Sequence, residues 1–529
     1  MIRYLKGVTQ GTGWILLGAI VYLYLLLFIL PATTKSLLLD DQLIYLLNAT
    51  RMLDGKMIYR DFFQFTTPGT EMMYFVLFKA FGPRAWVTRA VLIALGTSLT
   101  WVTIVISRKV VVGRAAYAPA FLFLLFPFAG NLDGDHHWFS VLAVMAALVV
   151  VIERRSLLRT AAAGALCGLA LWFTQVHGIS GVLAFATFLV WEGRRKKQRW
   201  QALLNAQTCL FGAFFIVVLT TNAYFVWKAG WQRFLYCTAT FGLRYYSADS
   251  RWNTLQVYMA ELPEVPPVTA LPLLARMLFV NTLSPIVYVL FLLRHRQRDA
   301  AQPSVPWDRL VLLNTVGLYL FLGVVRAPSY NKLCSVSIPA LIILVWLAGQ
   351  LSRTPRAVLA VACGFTVAFL CVVEPAAIQL RRYVYLDTPS GSIAYPKGSG
   401  AYDHTLWMMS RTHRGDYFFE AGWPMSYFLL GLKDPAKVPY VTSSDYTRPE
   451  QVSEVIESLQ SHHVRYVVWD PSLEVPGGSS PSGDHLGPLR KYLREHYHVV
   501  KIFVDFQEVW ERKQAPELDM PKRHGPAAV

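Results

Sequence analysis

The sequence predicts a polytopic α-helical membrane protein with a small α/β domain at its C-terminal end. Three observations carry the prediction. The 529 residues are 54% hydrophobic and only 16% charged, whereas a soluble chain carries roughly 25% charged residues. The apolar residues gather into runs of about 17–25, long enough to cross a bilayer as helices. After residue 376 this pattern gives way to short strand-like runs alternating with helical stretches.

The runs number about eleven and several are at the short end of the range. They fall near 14–33, 86–106, 115–130, 137–152, 160–175, 178–192, 203–227, 271–293, 309–326, 333–351 and 357–376. The first has a basic start, but its apolar core is long and Pro31-Ala32-Thr33-Thr34 makes a poor cleavage site. It therefore reads as a span and not as a secretory signal. Residues 1–376 form the membrane domain, 377–515 the α/β domain, and 516–529 a tail expected to be disordered. Most of the six cysteines lie inside spans, where a thiol is a small apolar filler, and their spacing matches no metal or disulfide framework.

The net charge of +17 would suit nucleic acid if it formed one basic face. It does not. Lys and Arg cluster at 3–6, 108–114, 154–159, 194–199, 294–298 and 353–356, while loops 131–136 and 175–178 have none. Such alternation is the positive-inside pattern. It predicts a multi-pass protein of the plasma (inner) membrane with a cytoplasmic N-terminus. Loops 34–85, 131–136, 175–178, 228–270 and 327–332, and everything after 376, then face outward.

The unusual residues lie in those outward loops. Apolar residues at 43, 46, 47 and 53 have helical spacing, so 41–53 reads as an amphipathic helix along the membrane surface, ended by Asp54-Gly55. Asp40 and Asp41 stand at its start. One of them can be an ordinary N-cap, but a cap needs only one carboxylate. The second cluster is Asp133-Gly134-Asp135-His136-His137. Ionisable groups this close to a bilayer commonly mark a site. Asp133, Asp135 and His136 can ligate a divalent ion through oxygen and imidazole, or the cluster can hold sugar hydroxyls; the plain alternative is an Asp-Gly turn. Gln175 and His177 close a span at its outer end, and Arg89, Arg326 and Lys332 are outward cations able to bind phosphate. Taken singly, each cation also reads as a side chain snorkelling to the interface.

Asp41, Tyr45, Ala49, Leu53-Asp54-Gly55, Tyr59-Arg60-Asp61 and Pro68-Gly69 together resemble the first outer loop of the GT-C glycosyltransferases. The likeness is nearest to the family 39 and aminoarabinose-transferase-like branch. That family has a first-loop Asp followed by Glu; here the Glu is Gln42, and the usual Pro-Pro is Pro68-Gly69. The motif spans about 36–90, and the helix layout extends it to 376. The resemblance implies a GT-C-like fold and transfer of a sugar, with inversion, from a polyprenyl-phosphate donor to a lipid, glycan or protein acceptor on the outer side. A phosphate leaves without a general acid, so one carboxylate base suffices. Register with Tyr45 favours Asp41 as base and Asp40 as helper, with Arg89 or Lys332 on the phosphate. Tyr45, Asp133, Asp135, His136, His137, Gln175, His177 and Arg326 would complete the substrate site. The resemblance requires no cofactor, a divalent ion at the acidic loop being the alternative to sugar contacts there, and no nucleic acid partner is implied. The competing reading is a transporter or flippase for lipid-linked sugars, which would favour internal repeats and midplane polar sites; no repeat is visible.

In the C-terminal region, 416–420 and 464–470 read as buried strands, 449–462 and 485–496 as helices, and 498–510 as a strand or hairpin. His404, His413, His462 and His463 read as surface residues. Trp423-Pro424 and Tyr427 read as domain core, with an acceptor-binding surface as the alternative.

Overall fold

The computed structural model describes residues 2–37, 41–246, 267–297, 305–325, 328–476, 483–504 and 507–513. Asp40, Arg326 and the tail 516–529 lie outside the described residues.

Among the described residues, six helices are long and apolar enough to cross a membrane: Ala85–Ser107, Gln175–Arg195, Trp200–Ala229, Leu274–Arg296, Trp307–Val324 and Arg353–Leu380. Shorter apolar helices cover Gly11–Leu27, Gly113–Phe128, His136–Val151, Leu157–Phe173 and Ile338–Gly349. Every run read from the sequence overlaps one of these. Gly113–Phe128 is not a regular helix. It passes from 3-10 to α to a π turn over Leu124–Phe128, where Pro127 supplies no backbone N–H.

Close packing comes from glycine. Gly164 and Gly168 sit four apart on Leu157–Phe173, and a side-chain carbon on either would run into the backbone carbonyls of Leu210 and Phe214. Small residues at this spacing let helix backbones approach in lipid, where apolar burial gives no drive to associate. By contrast, the last helix, Arg353–Leu380, buries only Pro375. A polar clamp holds its C-terminal end instead. Both Glu374 oxygens take hydrogen bonds from Arg276, at 2.9 and 2.7 Å, and the Tyr22 hydroxyl donates to one of them at 2.8 Å. Gln379 Nε2 donates to the carbonyls of Leu25 and Phe28.

The described residues hold two four-stranded sheets. One joins β1 (Phe28–Ile29) and β2 (Thr33–Lys35), which follow the first helix, to β3 (Tyr383–Thr388) and β4 (Gly391–Pro396), in the order β1-β2-β4-β3. β2 runs parallel to β4, pairing Thr34 with Ile393. The other sheet, β5 (Phe419–Glu420), β6 (Tyr466–Trp469), β7 (Tyr497–Ile502) and β8 (Glu508–Arg512), has the order β5-β6-β8-β7. Helices Pro449–Ser461 and Gly487–His496 pack with it. The strands and helices expected at 416–420, 449–462, 464–470 and 485–510 are present. β3, β4 and the helix Gly400–Arg411 were not expected.

One further expectation is corrected. His404 is not a surface residue: it is 2% exposed and its ring lies 4.9 Å from that of Phe503. The first-loop helix expected at 41–53 is present as Gln42–Leu53, and nine of its residues are buried within the protein. It and the next helix, Gly69–Phe81, are sandwiched between the bundle and the C-terminal domain. One core joins Leu43, Leu46, Tyr74 and Phe78 to Ile393 and Phe428; a second joins Ile58, Phe62 and Phe63 to Phe241, Val438 and Trp469.

The clamp gives a test. Arg276→Leu leaves the Glu374 carboxylate without its cation and is expected to destabilise the protein by about 3 kcal/mol. The double variant Arg276→Leu/Glu374→Leu should recover most of the loss. Thermal unfolding in detergent reads both, and equal midpoints for wild type and Arg276→Leu would deny the clamp a structural role.

Candidate functional site

The site is built on two helix N-termini capped by one acidic loop. Asp135 Oδ1 accepts from the backbone N–H of His137 at 2.8 Å and of Trp138 at 3.4 Å, opening the helix His136–Val151. Asp133 Oδ1 accepts from the backbone N–H of Gln42 at 3.1 Å. The cap of the first-loop helix therefore comes from the acidic loop 131–135. The Asp41 side chain does not cap that helix, although its own carbonyl accepts from the N–H of Ile44. An N-cap role for the Asp41 carboxylate is set aside on this geometry.

The loop can approach this closely because residue 134 is glycine: a side chain there would strike the Tyr74 hydroxyl and the Gln42 amide. Tyr74 donates to the Gly134 carbonyl at 2.8 Å, and Gln42 Nε2 donates to the Tyr74 oxygen at 2.7 Å. An ionised glutamate, the residue the family pattern expects at 42, has no proton to donate there.

Around this joint the histidines gather. The Tyr45 hydroxyl lies 2.5 Å from His136 Nδ1, and burial pushes it well above its ordinary range, so it keeps its proton. The His136 and His137 rings are 3.9 Å apart, and His137 and His177 5.2 Å. Ser140 Oγ meets His177 Nδ1 at 2.7 Å. Gln175 Nε2 donates to the carbonyls of Phe65 and Thr238, at 2.9 and 3.0 Å.

His136, His137, Gln175 and His177 lie at the polar end of a cavity of about 900 Å³, whereas Asp41, Tyr45, Asp133 and Asp135 are not among its lining residues. Thr66, His136, His137, Gln175, His177 and Lys332 line that end; Val176, Ile179, Leu219, Val226, Trp227 and Leu243 line much of the rest. Lys332 Nζ is 3.0 Å from the Tyr246 hydroxyl. Of the other predicted residues, Arg89 does not line the cavity. It is 2% exposed, and its Nη2 donates to the carbonyls of Lys35 and Ser36 at 3.1 and 2.6 Å, holding the chain that leads to the acidic pair.

Asp135, His136 and His137 present ligand atoms all within 4.8 Å of one another. His137 thus stands where the sequence suggested Asp133. Three buried oxygen and imidazole donors suit a divalent cation, although Asp135 Oδ1 and His136 Nδ1 already hold hydrogen bonds.

Sequence reasoning missed Glu71. It is fully buried, its Oε1 accepts from Gln64 at 2.6 Å and Asn48 at 3.4 Å, and burial pushes its carboxyl up to about 7 against those hydrogen bonds. The available signal was a lone acid in the apolar run Met72-Met73-Tyr74-Phe75 just after Pro68-Gly69.

The helical arrangement around this site is the GT-C fold. Among solved structures, apo ArnT from Cupriavidus metallidurans matches with TM-score 0.55 and 13% identity over 95% of this chain and 98% of that one. ArnT from the same organism bound to undecaprenyl phosphate matches with TM-score 0.52 and 13% identity over 94% and 98%. Archaeal oligosaccharyltransferase AglB from Archaeoglobus fulgidus, in complex with an inhibitory peptide and a dolichol-phosphate, matches with TM-score 0.52 and 11% identity over 97% and 75%. No family model and no curated protein sequence matches the chain.

A pH test follows from Glu71. Its folded value lies above the ordinary glutamate value, so between the two the folded protein binds more protons than the unfolded chain. Stability contributed by the neutral form is therefore lost as pH rises towards about 7. Glu420, pushed up to about 8 by burial, adds a slope of the same sign. Glu71→Gln should flatten the fall in unfolding midpoint between about pH 5 and about pH 8 without abolishing it; an unchanged slope would show that Glu71 does not titrate in this window.

Proposed function

We propose that the protein is a membrane-embedded glycosyltransferase that moves a sugar from a polyprenyl-phosphate donor to an acceptor hydroxyl on the extracytoplasmic side. The cavity is the observation that carries this reading. A polyprenyl chain needs an apolar groove among the helices, and Val176, Ile179, Leu219 and Trp227 offer one. Its phosphate needs a cation where the groove turns polar, which is the place of Lys332. Sugar hydroxyls need donors and acceptors beside it, and Thr66, His136, His137 and Gln175 supply both. The neighbours crystallised or imaged with undecaprenyl phosphate and dolichol-phosphate support the lipid assignment. The alternating basic loops support the outward orientation, with lipid, glycan or protein as the acceptor.

In this mechanism Asp41 is the base. It starts the helix whose Tyr45 meets His136, and His136 lines the polar end of the cavity. The acceptor oxygen bonds to the anomeric carbon as the bond from that carbon to the phosphate oxygen breaks. The hydroxyl proton passes to the Asp41 carboxylate, the electron pair leaves with the polyprenyl phosphate, and attack from the face opposite the phosphate inverts the configuration. No general acid is needed. Lys332 stabilises the charge growing on the phosphate. Asp40 stands next to the base in sequence and is assigned as its helper. A transporter would place its polar site at the membrane midplane between repeats. Here the polar groups sit at helix starts, at His136 and Gln175, which supports the enzyme.

A second feature of the reading is a divalent cation held by Asp135, His136 and His137, on their mutual proximity. Such an ion would supply positive charge to the phosphate or the sugar hydroxyls.

Asp41→Asn is expected to lower transfer from a lipid-linked sugar by about 100-fold or more while lipid binding persists; undiminished turnover in a folded protein would remove Asp41 from the mechanism. Lys332→Met should weaken undecaprenyl phosphate binding by about tenfold or more, read in a direct binding titration. Treatment with EDTA should abolish turnover, with restoration by a divalent ion, if the cluster holds a metal; full activity after chelation would discard the ion.

A further inference from the structure

The C-terminal domain meets the cavity through a buried polar chain that the proposed mechanism does not use. Its first link is an ion pair between Arg51 of the first-loop helix and Asp434, at 2.5 Å, with both side chains almost wholly buried. Asp434 Oδ1 accepts from the Ala436 N–H, and Arg51 Nη2 also donates to the Ala436 carbonyl. Arg51 Nη1 donates to Asn48 Oδ1 at 3.3 Å. Asn48 Nδ2 reaches Glu71 Oε1, which takes a second hydrogen bond from Gln64 Nε2. Gln64 Oε1 then accepts from the backbone N–H of Phe65 at 2.8 Å and of Thr66 at 3.4 Å. Phe65, Thr66 and Thr67 are a wall of the cavity. The same segment is tied to the C-terminal domain a second time, by the Phe63 N–H to the Lys437 carbonyl at 2.8 Å.

Apolar packing already joins the two parts: Phe62 and Phe63 share a core with Val438 and Trp469. A buried ion pair adds little to such docking and is best understood where it fixes one register. The register at issue is that of residues 64–66. Their backbone would otherwise present N–H groups to the interior, and Gln64 can receive them only while its amide nitrogen is held by Glu71.

We infer that Glu71 is a positioning residue that sets the Phe65–Thr67 wall through Gln64, and that Asp434 of the C-terminal domain acts on the same wall through Arg51 and Asn48. The C-terminal domain is then a working part of the site. Burial pushes Glu71 up to about 7, and an amide at 71 keeps the acceptor that Gln64 and Asn48 use. Acidity at this position is dispensable; the acceptor is not.

The experiment uses the full-length chain in detergent and two readouts. Hydrogen exchange at the amides of Phe65 and Thr66 tests the chain of contacts directly. Affinity for undecaprenyl phosphate tests its consequence, and this arm alone rests on the donor reading above. Glu71→Ala should speed exchange at both amides and weaken binding by about tenfold. Glu71→Gln should match wild type in both. Arg51→Met/Asp434→Leu keeps an apolar contact without the charges and should also speed exchange at Phe65 and Thr66. Gln64→Leu breaks the chain one link later and serves if Glu71→Ala does not fold. Exchange unchanged in Glu71→Ala or Gln64→Leu would overturn the role of Glu71. Unchanged exchange in the double variant would overturn the role of the C-terminal domain, and damage in Glu71→Gln equal to that in Glu71→Ala would overturn a positioning role in favour of acidity. Should wild type bind no undecaprenyl phosphate, the donor reading fails while the exchange arm still decides the inference.

Discussion

One carboxylate oxygen, Oδ1 of Asp133, closes the N-terminus of a helix that begins 91 residues earlier in the chain. Helix caps are usually local, because the residue before the helix is already in reach of its free N–H groups. Here the cap is also a tertiary tie. It fixes the first-loop helix against the loop between two apolar helices, and Asp135 in the same loop opens the second of them. Gln42, Tyr74 and Gly134 close the joint from the other side. The energy of one cap is small, about 1 kcal/mol. Its geometric effect is larger: Tyr45 meets His136, and the Asp41 carboxylate is not spent on capping.

The burial of the first loop follows from that joint. A helix standing alone on a protein surface would leave its polar face in water. This one has the bundle on one side and the C-terminal domain on the other, so its polar residues have to find partners inside. Asn48 and Arg51 do so with Glu71 and Asp434. The strand pair after the first helix is completed in the same way, by strands some 360 residues later in the chain, with Thr34 paired to Ile393. At 11–13% identity the neighbours match this fold over 95–97% of the chain. A fold of this kind tolerates such divergence because most spans need only be apolar, while a handful of polar joints hold the loops.

Much of the architecture was legible because lipid imposes a simple rule. Spans must be long and apolar, and basic loops alternate with others. The candidate site was legible in part: His136, His137, Gln175, His177 and Lys332 do converge on one cavity. Arg89 lies outside that cavity; in the sequence an arginine near a span end looks the same whether it meets phosphate or two carbonyls. His404 was misjudged because a single imidazole in a polar helix carries no periodic signal; its burial against Phe503 is made by a strand-end about 100 residues away in sequence.

From composition, run length and loop charge, the chain is a multi-spanning membrane protein with acidic and imidazole groups at one end of its spans. These properties are additive along the sequence, so they can be read one residue at a time. Which carboxylate caps and which does not, why residue 42 is Gln, and how Asp434 comes to lie behind the cavity wall depend on contacts between segments far apart in the chain. Hydrogen bonds are directional and satisfied only by a partner at the right place, and that place exists only once the bundle, the first loop and the C-terminal domain have closed on one another.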